Sequence, residues 1–190
     1  MSLSLLSRTQ PLSTQLRQFK PRSLLPLESV GLWKIESGVI RAISLLEDGT
    51  VVTVGLWGPG DLVGRMLTQV DSYHLECLTS VEVTRLLSED SQQTQIALLA
   101  HIQQAVELTV IRSHRRVDVM LLKLLNWLGA KFGRQIEQGQ LIDLRLTHQD
   151  LAEILGSTRV TMTRMLNQLE QQGTIRRLSL QRIVLKAEGN

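Results

Sequence analysis

The 190-residue sequence predicts an α+β protein in which a small β-barrel or sandwich is followed by a long helix and then a winged helix-turn-helix. Three observations carry that prediction. Apolar residues alternate with a period of two from Leu32 to about Leu87, the spacing of half-buried strands. After Glu89-Asp90-Ser91 the period lengthens to three and four, the spacing of a helix. Two short helical patterns then surround Gly156, and a basic alternating segment follows them.

The first thirty residues hold Pro11, Pro21 and Pro26 and read as an irregular entry, with a short helical pattern over Leu3–Leu16 interrupted by Pro11. Strands are predicted over Leu32–Glu36, Val39–Leu45, Val51–Leu56, His74–Leu78 and Val81–Leu87. Asp48-Gly49 supplies a hairpin turn, and Gly58-Pro-Gly-Asp61 a second turn. Asp90 or Ser91 can cap a helix over roughly 91–113. Its residues Ile96, Leu98, Leu99, Ile102, Val106 and Thr109 fall close to a 3–4 repeat. Such a stripe fits either packing on the barrel or the narrow seam of a coiled-coil dimer. A basic joint, Arg112 to Arg116, leads to an apolar helix over Val117–Phe132 that Gly133 can end, and Leu141–Leu146 alternates as a short strand.

Composition narrows the function. Hydrophobic residues at 43% and charged residues at 21% suit a globular chain. No apolar run approaches the roughly 18 residues that cross a bilayer, so no membrane partner is expected. The start of the chain shows no secretory pattern, and Cys77, the single cysteine, can form neither an internal disulfide nor a thiolate cluster. The expected compartment is the cytosol, and no cofactor or metal is expected. The net charge of +3 divides unevenly: residues 1–111 carry 8 Lys/Arg against 11 Asp/Glu, and residues 112–190 carry 13 against 7. An acidic front and a basic back suggest that the second half faces a polyanion.

The segment from Leu146 to Ile175 says which polyanion. Thr147 and Asp150 are spaced as a capping box, Leu151, Ile154 and Leu155 face inward, and Gly156 stops the helix in a tight turn. Ser157 or Thr158 caps a second helix running to about Gln172, with Val160, Met162, Met165, Leu166 and Leu169 as its apolar positions. Arg159, Thr163 and Arg164 share its polar face, as a recognition helix requires to enter the major groove of DNA. Ile175 to Leu185 reads as a basic wing whose Arg176, Arg177 and Arg182 meet phosphates. The bland alternative is a helical hairpin with solvated arginines.

Thr147 to Leu166 resembles the winged helix-turn-helix of the catabolite-activator and fumarate-nitrate regulator (Crp/Fnr) superfamily. Ile142-Asp-Leu-Arg-Leu-Thr-His-Gln149 and Gly156-Ser-Thr-Arg-Val-Thr-Met-Thr-Arg-Met-Leu166 are most similar to its cyanobacterial nitrogen-control branch. Leu32-Trp-Lys-Ile-Glu-Ser-Gly-Val-Ile-Arg41, Glu47-Asp-Gly49 and Gly58-Pro-Gly-Asp-Leu-Val-Gly64 resemble the family's cyclic-nucleotide-binding-like β-roll, a jelly roll. The resemblance implies a diverged sensory β-roll at 1–90, a dimerisation helix at 91–113 and a winged helix-turn-helix DNA-binding domain at 114–190. It further implies a homodimeric transcription regulator on a palindromic promoter site in double-stranded DNA, with RNA polymerase as a further partner. Leu98, Leu99, Ile102, Val106 and Thr109 would form the dimer interface. Arg159, Val160, Thr163 and Arg164 would contact bases. Thr147, His148, Ser157, Thr158, Thr161 and the wing arginines would contact phosphates. Valine at position 160 cannot accept a hydrogen bond from cytosine but can pack on a thymine methyl, so the expected site is GTA…TAC-like.

The front half departs from the family. The Gly-Glu and Arg-Ser pairs that grip a cyclic nucleotide are missing after Gly64, where Arg65 and then Asp71, His74 and Glu76 stand instead, so cAMP and cGMP are not expected. The arginines that hold 2-oxoglutarate in the nitrogen branch align near Asp71 and His101, so the sequence names no small-molecule effector. Tyr73 to Cys77 invites a haem ligand but fits a structural strand better. A metal enzyme on the roll would need converging histidines, and His74 alone falls in the predicted barrel. A pure protein-interaction module would not need the arginines of the reading helix.

Overall fold

The computed structural model describes residues 16–27, 31–86 and 91–186. The segment before Leu16, Leu87 and Asp90 lie outside the described residues, and with them most of the expected entry helix. The rest of that entry holds two short strands, β1 (Arg17–Phe19) and β2 (Leu24–Leu25). The roll continues through β3 (Leu32–Ser37), β4 (Ile40–Leu45), β5 (Val51–Trp57), β6 (Leu62–Val63), β7 (Tyr73–Cys77) and β8 (Val81–Leu86). Two antiparallel sheets form, ordered β1-β8-β3-β6 and β2-β7-β4-β5. Their facing sides bury Ile35, Ile40, Ala42, Val63, Tyr73, Leu75, Cys77, Val81 and Val83, the alternate positions that the period of two assigns to a core.

The helix expected at 91–113 is α1 (Ser91–Arg112). One edge of it, spaced by threes and fours, carries Ala97, His101, Gln104, Leu108 and Ile111 against the roll. The His101 ring stacks on Trp57 at 3.6 Å, and its Nε2 lies 2.8 Å from the Leu62 carbonyl. Gln104 acts in place of a neighbouring strand: its Oε1 accepts from Leu56 N at 2.6 Å and its Nε2 donates to Leu56 O at 2.7 Å. Since β5 is the outer strand of its sheet, that amide satisfies backbone groups that would otherwise be buried unpaired. Gly55 makes the approach possible, because a Cβ there would stand 2.6 Å from Gln104 Oε1. The opposite edge of α1 is largely open, with Leu98 and Ile102 bordering a cavity of the roll. Leu99 and Ile102 are each 61% exposed, and Ile96, Leu98, Val106 and Val110 are exposed beside them.

Helix α2 (Val117–Phe132) buries Met120, Leu121, Leu124, Leu125 and Leu128. Gly133 ends it in an extended conformation and not the left-handed one that its sequence position suggests. Glycine is required there by crowding, since a Cβ would run into the Gly129 carbonyl. A hairpin of β9 (Gly133–Ile136) and β10 (Gly139–Ile142) follows; β9 is a strand that no apolar alternation announces, and the strand expected over Leu141–Leu146 starts earlier and stops at Ile142. The reading head comprises α3 (His148–Leu155), α4 (Arg159–Gln171), β11 (Ile175–Arg177) and β12 (Ile183–Leu185). One apolar core runs without a break from Leu56 of the roll through Leu108 and Ile111 to α2, α3, α4 and the wing.

Among the described residues, polar contacts join head to roll at three places. Arg41 on β4, 5% exposed, donates from Nε and Nη2 to Glu76 on β7 (3.0 and 2.6 Å) and from Nη1 to Glu153 on α3 (2.7 Å). Arg22 forks onto the Asp150 carboxylate of α3 at 2.9 and 2.7 Å and reaches Glu76 at 3.2 Å. At the end of α1, Arg112 donates to the Ile154 carbonyl of α3 (2.7 Å) and the Thr53 carbonyl of β5 (2.5 Å). On the other flank, Lys131 Nζ of α2 stands 5.0 Å from the Trp57 ring and 5.6 Å from both Trp127 and Phe132, with Asp61 Oδ2 at 3.3 Å.

Candidate nucleic-acid interface

Helix α3 begins where the sequence says it must. Thr147 Oγ1 accepts from Asp150 N at 3.0 Å and the Asp150 carboxylate accepts from Thr147 N at 2.8 Å, a closed capping box. Burial alone would raise the Asp150 carboxyl, but the Arg22 fork and the Thr147 donors outweigh it and hold it below the usual carboxylate range. Gly156 ends the helix at φ 64°, a left-handed turn that glycine adopts without strain. Of the two candidate caps for α4, Thr158 serves, accepting from Thr161 N at 3.1 Å.

Met162, Met165, Leu166 and Leu169 anchor α4 in the core. This leaves Arg159, Val160 and Arg164 facing solvent at the front of the helix. Val160, expected among the apolar positions of α4 and also as a base contact, is 79% exposed and lies outside the core. Thr158 and Thr161 pair their hydroxyls at 2.9 Å beside the first turn, whose unpaired N–H groups favour an anion. Ser157 is half-buried in the turn between the helices.

Two expected DNA contacts, Thr163 and His148, are half-buried and bond to each other. Thr163 Oγ1 donates to the Arg159 carbonyl at 2.9 Å and lies 2.7 Å from His148 Nδ1, so His148 supplies the proton of that second bond. Burial, and then the charges of Arg177 and Arg159, push the His148 ring below its ordinary value. Arg177 holds the wing onto α4, donating from N and Nε to Glu170 (2.9 and 2.7 Å) and from Nη2 to Asn167 (2.8 Å). Arg176 is exposed and reaches Gln138 at 3.1 Å, while Arg182 lies 3.5 Å from Asp143. Sequence reasoning misses Glu170, Asn167 and Asp143 as wing supports; Glu170 and Arg177 are seven residues apart across a turn, where no periodicity links them.

In the roll, a cavity of about 240 Å³ opens under α1 between Tyr73, Trp57, Thr68, Leu98, His101 and Ile102. Among the described residues its lining holds no arginine, lysine or carboxylate. Arg65, the cation nearest in sequence to the family's phosphate position, donates to the Val70 carbonyl.

A family profile described as a Crp-like helix-turn-helix domain matches residues 116–189. The chain is 43% identical over 159 residues to the regulatory protein CysR of Synechococcus elongatus, covering 82% of this chain and 77% of that protein. It is 31% identical to the global nitrogen regulator of Nostoc sp., covering 73% and 69% respectively. Among solved structures, a CRP-family transcriptional regulator from Thermus thermophilus superposes with a TM-score of 0.77 at 20% identity, over 90% of this chain and 92% of that one. FixK2 from Bradyrhizobium japonicum also gives 0.77, at 17% identity over 91% and 92%.

Proposed function

This chain belongs to the Crp/Fnr family of DNA-binding transcription regulators, which are not enzymes, and from that premise we propose that it acts as a cAMP-independent homodimer on a palindromic promoter site. The observation that carries the reading is the front of α4, where Arg159, Val160 and Arg164 stand in solvent on a helix fixed from behind. Residues 91–113 are the dimer helix, supported by the exposed edge at Leu98, Leu99, Ile102, Val106 and Thr109. Residues 1–90 act as a diverged sensory unit and 114–190 as the reading head, working in the cytosol with RNA polymerase as partner. Pairing through α1 presents two reading helices to half-sites about 34 Å apart, one turn of DNA. Independence of cAMP rests on a roll cavity whose described lining lacks a cation for a phosphate. The GTA…TAC-like half-site follows Val160 and the likeness to the nitrogen regulators.

The test measures DNA binding by the purified chain and by Arg159→Ala and Arg164→Ala. The probes are a GTA…TAC duplex and a scrambled duplex, each without ligand, with cAMP and with 2-oxoglutarate. Specific binding without ligand, unchanged by cAMP and lowered about 10- to 100-fold in each variant, is expected. Binding that requires cAMP, or that both variants retain, overturns the reading. Ile102→Glu is expected to sediment as a monomer and lose the palindrome; a dimer retained in that variant removes α1 as the seam.

A further inference from the structure

We propose that Arg41 is a positioning residue for DNA recognition: by clamping the first helix of the reading head to the roll, it fixes the angle of the head relative to α1 and so sets the half-site spacing that the protein accepts. The inference rests on the dimeric reading above. Arg41 is far from the reading face in function, since its partners are Glu76 on the roll and Asp150 and Glu153 on α3.

The argument is geometric. Arg112 attaches α1 to the last turn of α3 through the Ile154 carbonyl. Polar contact at that one point leaves the orientation of α3 to the apolar packing behind it. The second attachment is the charge cluster, in which Arg22 and Arg41 hold Asp150 one turn earlier and Arg41 also holds Glu153 beside Ile154. Arg22 shares Asp150 but is 42% exposed at its side chain, whereas Arg41 is enclosed and reaches Glu153 as well as Glu76. A guanidinium is planar, and its N–H groups point in fixed directions. With Nε and Nη2 on Glu76 and Nη1 on Glu153, it permits one relative orientation of strand β7 and helix α3. Charge-assisted bonds of this length in an enclosed site resist bending more than neutral ones do. The clamp touches α3 and leaves the front of α4 open, so it orients the reading helix without covering it. Inserting one base pair between half-sites moves them by about 3.4 Å and turns one relative to the other by about 35°. A head held by the enclosed Arg41 fork in addition to Arg22, Arg112, Lys131 and the shared apolar core follows that rotation less readily than one that has lost the fork.

Two measurements on the full chain test this. Spin labels at Leu46→Cys on the roll and Gln171→Cys on α4 report the spread of roll-to-head distances, the buried Cys77 staying unlabelled. The wild-type background is expected to give a narrow distribution and Arg41→Gln a broad one. On GTA…TAC duplexes, one inserted base pair is expected to cost the wild type about tenfold or more and Arg41→Gln less than about threefold. Thermal unfolding run in parallel separates positioning from stability, since loss of stability alone changes neither the distance spread of the folded chain nor its spacing profile. If Arg41→Gln does not fold, Glu153→Ala, which removes the shorter of the two Nη1 contacts on α3 and leaves Asp150 at 3.3 Å, is read instead and is expected to broaden the distribution. A distance distribution as narrow as wild type in the folded variant overturns the proposal. If the wild type proves monomeric or binds no palindrome, the dimeric reading falls, and the label distances alone decide on Arg41.

Discussion

His148 shows how much a single side chain on the interface can be constrained before DNA arrives. With Nδ1–H committed to Thr163, a neutral ring offers only an accepting Nε2, and a phosphate needs a donor. In the free protein burial, and then Arg177 and Arg159, depress the ring and favour its neutral form. The sign follows directly: a depressed histidine costs folding stability as pH drops below its ordinary value, because the unfolded chain takes the proton first. We propose that a phosphate meets the ring; such a contact reverses that bias, and DNA binding is then expected to take up a proton. Affinity is expected to rise as pH falls from about 8 to about 6, and His148→Gln to flatten the rise. Equal slopes in the two proteins would mean that His148 meets no phosphate. Much of this residue scale was legible in advance. The Thr147–Asp150 box and the Gly156 turn follow from local spacing alone. The pairing of His148 with Thr163 was not, because it crosses between two helices 15 residues apart.

At the scale of elements, legibility tracked length. Strands of five to seven residues were placed within a residue or two, whereas β1, β2 and β6, at two or three residues, are too short for any period to show. Helix α1 spans nearly the range its spacing predicts, but the single apolar stripe read from that spacing is largely exposed and is not the edge packed on the roll. The roll takes the edge containing Gln104, a polar residue that no hydrophobic pattern would choose. Gln104→Leu keeps the volume and leaves Leu56 N and O buried without partners. Each unpaired group costs about 1–3 kcal/mol, so the melting temperature is expected to fall by about 10 °C. An unchanged melting curve would show that water replaces the amide.

For the whole molecule, the charge division between the halves was readable from composition, and the bonds between them were not. Arg41 and Glu153 are 112 residues apart in sequence, and Arg22 and Asp150 are 128 apart. Charge counts cannot predict such pairs, because any surface charge is equally a candidate. The junction makes stability depend on acid in a stated direction. Asp150 is depressed in the folded state, so its contribution is complete above the ordinary carboxylate value and is lost as pH falls below about 4. Asp150→Asn is expected to be less stable at pH 7 and to show a shallower acid transition between about pH 5 and 3, followed by circular dichroism. A transition as steep as wild type would assign the acid sensitivity to other carboxylates.

The aromatic cage around Lys131 gives the molecule an optical signal of its own. Of its three tryptophans, Trp33 is buried in the roll with Nε1 on the Pro26 carbonyl. Trp57 and Trp127, by contrast, come from opposite sides of the roll–head boundary and share one ammonium group. An indole facing a fixed positive charge emits differently from one facing water. Parting the two halves therefore changes the ultraviolet emission of Trp57 and Trp127 together while Trp33 stays constant as an internal reference. Every movement of the reading head away from the roll thus carries its own light signal, available in the unlabelled protein and on the timescale of a stopped-flow mixer.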